Sequence, residues 1–482
     1  MRFQIQLFQL ILLSVFSLIN LTGSGQDYGD LPQVSKDLLR QDLELFKQGM
    51  EKYHTGLYWY TSKDSLDLAF QKAKESINGD MNVLEFHKII APIVVLSRED
   101  HCNIYLPDET EEQMNSHAKY LPLSVVFLGT KMYFNKNYSG VQKDITGKEV
   151  VRINGESIES IVQKIGSLFA SDGYVKRVKY SDLEGFSFAK YYYLWYGQAA
   201  EFRVEFEQEE IILPSLTFSE VRENSALLEK QNEGKKDGEE GEVINNCLEF
   251  RLINDSIAYL AVHSFSNYEY KENKIHKDYS KFLSSSFQTI DEKNIQHLII
   301  DVHENGGGNE GNENLLYSYL GPNYQKYLSV SAKTQRTILD NGSDKPVKFK
   351  TFGPLELLLQ NEAGEDGMIY RKMDKGHGLT AYKKEPKNKF QGKVYVLIGP
   401  VTYSGGSEFT NMMYTNELAI FVGEETGGGY YGNTSGYSQE LTLPHSGIVV
   451  DIPSLRFEMN VKPLLPHGSG VKPDHLQAGS SR

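Results

Sequence analysis

The 482-residue chain predicts a mixed fold of α/β plus β class: helices first, then a β-rich module, then an α/β layer. Three observations carry that prediction. Apolar residues recur at three- and four-residue spacing through residues 35–95, the period of helices with one buried face. From about Leu121 short β-rich runs parted by Gly and Asn take over. Beyond residue 246, near-continuous apolar strands alternate with helical stretches, the pattern of a sheet covered on both faces.

The first residues, MRFQIQLFQLILLSVFSLINLTGSGQ, have a positive start at Arg2, a mostly apolar run over 7–21, and small residues Gly23, Ser24 and Gly25. This is the layout of a secretory signal peptide, expected over 1–25. Gln9, Ser14, Ser17 and Asn20 interrupt the run and suit removal better than spanning. The expected location is exported, periplasmic or extracellular, with no stable membrane span after signal removal.

Residues 26–107 read as an N-terminal helical domain built from SKDLLRQDLELFKQGMEKYH, SKDSLDLAFQKAKESI with its Ser/Asp start signal, and NVLEFHKIIAPIVVL. Residues 108–216 read as a compact β-rich module. In it GKEVVRINGESIESIVQKI gives strand, turn, strand and short helix, and AEFRVEFEQEEIILP gives two more strands. Residues 217–245, charged and Gly-bearing, read as a linker. The rest, 246–482, is the α/β core: DSIAYLAVHSF, IQHLIIDV, GKVYVLIG and LAIFVG as strands, with helices between them. Residues 340–392 read as an irregular insertion, and the tail returns to β texture.

Composition narrows the function. A formal charge of −14 without a long basic run argues against nucleic acid or an anionic membrane as the main partner. Two cysteines, Cys102 and Cys247, either pair or stay as separate buried thiols. With no C-x-x-C and no H-x-x-x-H spacing, no structural zinc is expected. Nothing in the sequence sets an oligomeric state.

Four stretches can carry chemistry. In TYSGGSEFTNMM, Ser404 follows a strand and opens a helix, where unpaired N–H groups and the positive dipole end favour an alkoxide or oxyanion. Gly405 allows close approach and offers an N–H to an oxyanion. The competing reading makes Ser404 or Ser407 the helix cap. In LIIDVHENGGGNEG, Gly306, Gly307 and Gly308 follow Asp301 and Asn305. The run fits neither a P-loop nor a dinucleotide fingerprint, which leaves a tight turn or a second oxyanion donor. In LSREDHCNIYL, His101 is a candidate general base beside Asp100. In GEETGGGYYGNTSGY, Glu424, Thr426 and Asn433 sit on a glycine-rich loop at the same sheet edge as Ser404.

Together these stretches resemble the serine peptidases that include the C-terminal (tail-specific) processing proteases and the tricorn protease core. DVHENGGGNEG is similar to the family's Asp-x-Arg-x-Asn-Gly-Gly-Gly turn, TYSGGSEF to its nucleophile motif, VGEETGGG to the Gly-Glu-x-Thr-x-Gly run, EDHCNIYL to the histidine motif of the tricorn-like branch, and GSGVKPDH to the closing Gly-Val-x-Pro-Asp signature. The resemblance implies a PDZ-like module over 108–216 and a crotonase-like or ClpP-like α/β core. It implies catalysis by Ser404 with His101, an oxyanion site at Gly405 and Gly307, and supporting roles for Asp100 or Glu424. No metal or organic cofactor is implied. The lysine of the Ser/Lys branch would fall at Gly429, which favours the Ser/His branch over that dyad; Lys462 is the remaining candidate for the missing amine. His303 stands where the family has arginine, and His467 where the tricorn core has glutamate.

The expected function is an exported serine endopeptidase acting on a peptide or protein substrate. The alternatives are a non-catalytic peptide-binding protein on the same scaffold, and an esterase using the same serine.

Overall fold

Helix formation begins where the periodicity predicts it, at Lys36–Tyr53, Lys63–Ser76 and Val83–Val95. The computed structural model describes Tyr28 and residues 31–143, 145–233, 247–272, 278–334, 336–340, 346–372 and 385–477. The expected signal peptide lies outside the described residues. The Val83–Val95 helix starts at a reciprocal cap: Asn82 Oδ1 accepts the N–H of Leu84 and of Glu85, and Glu85 accepts that of Asn82. Phe86, Ile90 and Val94 on this helix are fully buried. The chain then turns through Glu99–His101 into the strand Asn103–Tyr105.

The β-rich module is a five-strand antiparallel path in the order Glu210–Pro214, Glu201–Phe206, Glu149–Ile153, Lys131–Asn137, Leu123–Leu128. The run GKEVVRINGESIESIVQKI forms strand, turn, short strand Glu156–Ser157 and helix Ile158–Ile165, as read from the sequence. Asn154 and Gly155 turn with positive φ.

Two segments differ from the sequence reading. The first part of the stretch expected as a charged linker is helical, Phe218–Glu233. Val221 is buried, Phe218 packs at 5.9 Å against Phe186, and Asn224 donates to the Tyr138 carbonyl. A few apolar anchors against the module outweigh the charged composition, because tertiary packing rather than propensity supplies most helical stability. Likewise, of the stretch 340–392 expected as irregular, residues 347–371 are built largely of regular elements. It holds the hairpin strand Val347–Lys350, paired with Arg336–Leu339, then the helix Pro354–Gln360 and the strands Asn361–Ala363 and Ile369–Arg371.

The core sheet runs Leu248–Leu252, Ile257–Val262, His297–Asp301, Lys393–Ile398, Ile420–Gly423, His475–Leu476. Only its first pair is antiparallel. The Gly405–Thr415 helix follows the Lys393–Ile398 strand. A second sheet orders Asn361–Ala363, Ile369–Arg371, Tyr327–Ala332, Val449–Met459, Gly432–Thr442. The N-terminal strand Asn103–Tyr105 joins it by pairing with Val449–Met459, Asn103 opposite Asp451.

Two apolar clusters result. One lies under the core sheet. The other runs continuously through the N-terminal helices and the β-rich module and takes in Leu339, Phe349, Leu441, Val450 and Ile452 from far along the chain. The N-terminal third is thus packed into the C-terminal half. No described helix is long and apolar enough to cross a membrane.

Candidate active site

Ser404 sits where the parallel strand Lys393–Ile398 gives way to the helix Gly405–Thr415. The turn is fixed before the serine is reached. Thr402 Oγ1 donates to the Val302 carbonyl at 2.9 Å and accepts the Gly399 N–H at 3.1 Å, and the Tyr403 N–H donates to the Asn305 carbonyl at 2.9 Å. Ser404 is held at φ 48°, ψ −123°, a region sparsely used by residues with a side chain and one that concentrates at functional sites. Its hydroxyl makes no cap hydrogen bond. Ser407 Oγ instead donates to the Ser404 carbonyl at 2.9 Å. The cap reading of Ser404 is excluded, and its half-buried hydroxyl stands at a helix N-terminus.

The glycine turn after Asp301 faces this serine. Gly307 has φ 100°, and a β-carbon there would come within 2.9 Å of the Gly405 nitrogen. Asn305, fully buried, organises the turn: its Nδ2 donates to the Val262 carbonyl at 2.8 Å, and its Oδ1 accepts the Gly307 N–H at 2.8 Å. The sequence named Asn305 only as the residue ahead of the glycines; its bonding pattern needs the neighbouring strand and had no sequence signal. The Gly405 N–H, first in its helix, has no intrahelical acceptor. The Gly307 N–H reaches an oxyanion only by giving up Asn305.

His101 comes from some three hundred residues away, and named bonds tie its segment to the serine loop. Asp172 accepts the Asp100 N–H at 2.9 Å through one oxygen and the Gly429 N–H at 3.2 Å through the other. Gly428 in turn donates to the Thr402 carbonyl, and a β-carbon on it would lie 3.3 Å from the Ser404 nitrogen. On the other flank the Glu99 carboxylate accepts the N–H and hydroxyl of Thr434, at 2.8 and 3.1 Å. Burial pushes the His101 ring below the usual imidazole range, opposed by the fields of Asp100, Glu408 and Asp451. Glu408 lies one turn beyond Ser404, so the ring is within electrostatic reach of the serine's own helix.

The supporting positions fall differently. Asp100 sits in the same segment as His101, and burial, then Asp172, pushes its carboxyl up to about 6. Burial also raises Asp172 to about 6. Glu424 is turned to Arg177, whose Nε donates to it at 2.7 Å. His467 lies among the rings of Trp59, Tyr60 and Tyr431. Lys462 forms an exposed pair with Glu417 at 3.0 Å. Thr426 is bonded to Gly428 and Val471, and Asn433 to Ser435. Cys102 and Cys247 are separate buried thiols and form no disulfide with each other.

Two features escaped the sequence. His101 Nδ1 and Asp451 Oδ1 are both buried without a hydrogen-bond partner, on paired segments. Beneath the serine helix, Lys326 is fully buried between Glu313 at 2.5 Å and Glu408 at 2.9 Å. Burial opposes its charge, but the two carboxylates hold it above the ordinary lysine range. Lys326 lies in an unremarked YQKY run, and only the fold sets it beside its acidic partners.

A hydroxyl on a strained backbone at a helix N-terminus with a glycine turn against it, and a half-buried imidazole in a segment tied to the same loop, are groups of the kind that acyl transfer uses. Residues 256–476 match the family model described as Peptidase family S41. The fold is similar to the crystal structure of mature CPAF, with 13% identity, 92% of each chain covered and a TM-score of 0.56. It is similar also to mature CPAF complexed with lactacystin (13% identity, 91% of this chain and 93% of that one, TM-score 0.55) and to the cpaf s499a mutant (12%, 92% and 93%, TM-score 0.57). At such identity the likeness is one of fold. No curated protein sequence matches the chain. The matched residues contain Asp301, the glycine turn and Ser404, and it is this core that resembles peptidase family S41, the serine peptidases.

Proposed function

We propose that the protein is an exported endopeptidase in which Ser404 attacks the peptide carbonyl and His101 takes its proton. The observation that carries this is the Ser404 backbone, held at φ 48° with the hydroxyl free of the helix and Gly307 opposite. In the proposed cycle the Gly405 N–H holds the developing oxyanion, joined by Gly307 once substrate displaces its bond to Asn305. His101 then protonates the leaving amine, and water, deprotonated by the same ring, releases the acyl group. A ring biased to neutral by burial is in the form a base requires.

The β-rich sheet supports a PDZ-like reading of 108–216, with a substrate end added alongside an edge strand. Domain limits of 26–107, 108–216 and 246–482 belong to the same reading, with the connecting segment helical over Phe218–Glu233. Export rests on the 1–25 sequence pattern, and N-terminal sequencing of the secreted protein tests it.

S404A should abolish hydrolysis of an unstructured protein and labelling by a fluorophosphonate probe while the circular dichroism spectrum is kept. Hydrolysis that persists in S404A rejects the nucleophile. One observation favours a second reading, a peptide-binding protein without turnover: the Gly307 N–H is already bonded to Asn305. Saturable peptide binding with no cleavage by the wild-type chain would establish that reading instead.

A further inference from the structure

At the carboxyl ends of two adjacent parallel strands, Ile257–Val262 and His297–Asp301, three side chains converge. The His263, Asp301 and His303 ligand atoms all lie within 4.8 Å of one another. His303 Nδ1 is 2.6 Å from Asp301 Oδ1, and His263 Nε2 is 3.6 Å from Asp301 Oδ2. The two imidazoles meet edge to face at 5.4 Å.

One ring nitrogen of the cluster is left open. Asp301 Oδ2 accepts the Tyr259 hydroxyl at 2.7 Å, and Oδ1 accepts the His303 backbone N–H at 3.1 Å besides meeting its ring Nδ1. His263 Nε2 is buried and has no hydrogen-bond partner, although it points at a carboxylate. A cation held by neutral imidazoles would fill the open position at His263 Nε2 and meet the same carboxylate.

The outer atoms fit the same arrangement. Glu304 places one oxygen 3.8 Å from His263 Nδ1 and the other 3.7 Å from His303 Nε2. These are the ring nitrogens turned away from Asp301. A carboxylate on the outer nitrogen of a ligating histidine fixes its tautomer and raises its basicity. We propose that His263, Asp301 and His303 form a site for a divalent first-row ion of the zinc class, with Glu304 as the outer carboxylate for both rings.

The donor set, two imidazole nitrogens and one carboxylate, suits zinc and its neighbours rather than magnesium or calcium. Ligands of a tetrahedral ion at about 2.0–2.1 Å stand ~3.3 Å apart, so the His303–Asp301 contact opens slightly and the His263 contact closes. Asp301 and His303 also line a cavity of about 250 Å³, together with Arg177 and Glu424. Asn305, which braces the glycine turn, follows His303 by two residues, so the ion would tie that turn to the neighbouring strand. The absence of any C-x-x-C or H-x-x-x-H spacing did not anticipate this, because the ligands come from two strands.

The test uses the purified full chain, stripped with chelator, dialysed against buffered micromolar Zn²⁺ and assayed by elemental analysis and thermal unfolding. About one bound ion per chain and a raised midpoint are expected. H263A and H303A should each lose the ion while circular dichroism shows a folded chain, and E304Q should bind about 10–100-fold more weakly. If neither alanine variant folds, Co²⁺ loaded into the wild type should give the intense visible bands of a tetrahedral site. A wild type that holds no ion, an ion retained in both alanine variants, or a Co²⁺ spectrum of an aquo ion overturns the proposal. These readouts do not depend on peptidase activity.

Discussion

A β-carbon on Gly307 would fall 2.6 Å from the Ser404 β-carbon and 3.0 Å from its hydroxyl oxygen. Two loops at the ends of adjacent parallel strands therefore meet at van der Waals limits. That contact separates two otherwise similar substitutions. G307A places a side chain at φ 100° and against the serine. It should lower kcat/KM by about 10²-fold or more, the scale of losing an oxyanion donor. G405A meets Phe265 at 3.4 Å and the Gly307 Cα at 3.5 Å, an ordinary contact, and should stay within about threefold of wild type. Equal losses in the two variants, by steady-state kinetics, would contradict this geometry.

Asp451 is the candidate to orient His101. Its Oδ1 and the ring's Nδ1 are buried and partnerless, and Asp451 stands opposite Asn103 in the strand that follows the histidine. D451N should lower kcat by about 10²–10⁴-fold with little change in KM, since orientation of the base matters in the transition state. A kcat near wild type with an unchanged pH profile leaves Asp451 a purely structural residue.

The acid limb of the pH–rate profile follows from burial. In the proposed cycle His101 must be neutral to accept a proton, and desolvation lowers its affinity for one. Activity should therefore hold as pH falls to about 6.5, the ordinary imidazole value, and decline only below it. A limb centred above 7 would assign the titration to another group.

Asp100 offers a stability test with a defined sign. Its folded value of about 6 lies above the unfolded carboxylate value of 3.8. The raised group favours folding most below the unfolded value, and that contribution is lost as pH rises through about 6. D100N should consequently be more stable than wild type at pH 8, by about 1–3 kcal/mol, and converge with it near pH 4. Urea unfolding at both pH values measures this, and a difference that is constant with pH refutes it.

Removing the Lys326 charge strands two buried carboxylates. K326M should destabilise the chain by about 3–5 kcal/mol, as for other broken buried pairs. K326M/E313Q/E408Q should recover much of that loss. A single variant as stable as wild type in urea would mean the carboxyls are protonated in the folded state.

The sequence by itself determined the local elements and the order of motifs. Helices over 35–95, the strand–turn–strand–helix at 149–165, the strands of the core and the strand-to-helix step at Ser404 all follow from apolar period and turn residues, which act over a few positions. It failed where few residues decide. Phe218 and Val221 convert a charged stretch into a docked helix, and hairpin pairing orders part of 340–392. The tertiary structure alone decided that Ser404 is not a cap, that Asp172 bridges the histidine segment to the Gly429 loop, and that Asn305 holds Gly307. It also decided that Glu424 faces Arg177 and that Lys326 lies between Glu313 and Glu408. Each of these depends on distances between residues far apart in the chain. Such distances are set by strand register and packing, which the spacing of residue types along one chain does not encode.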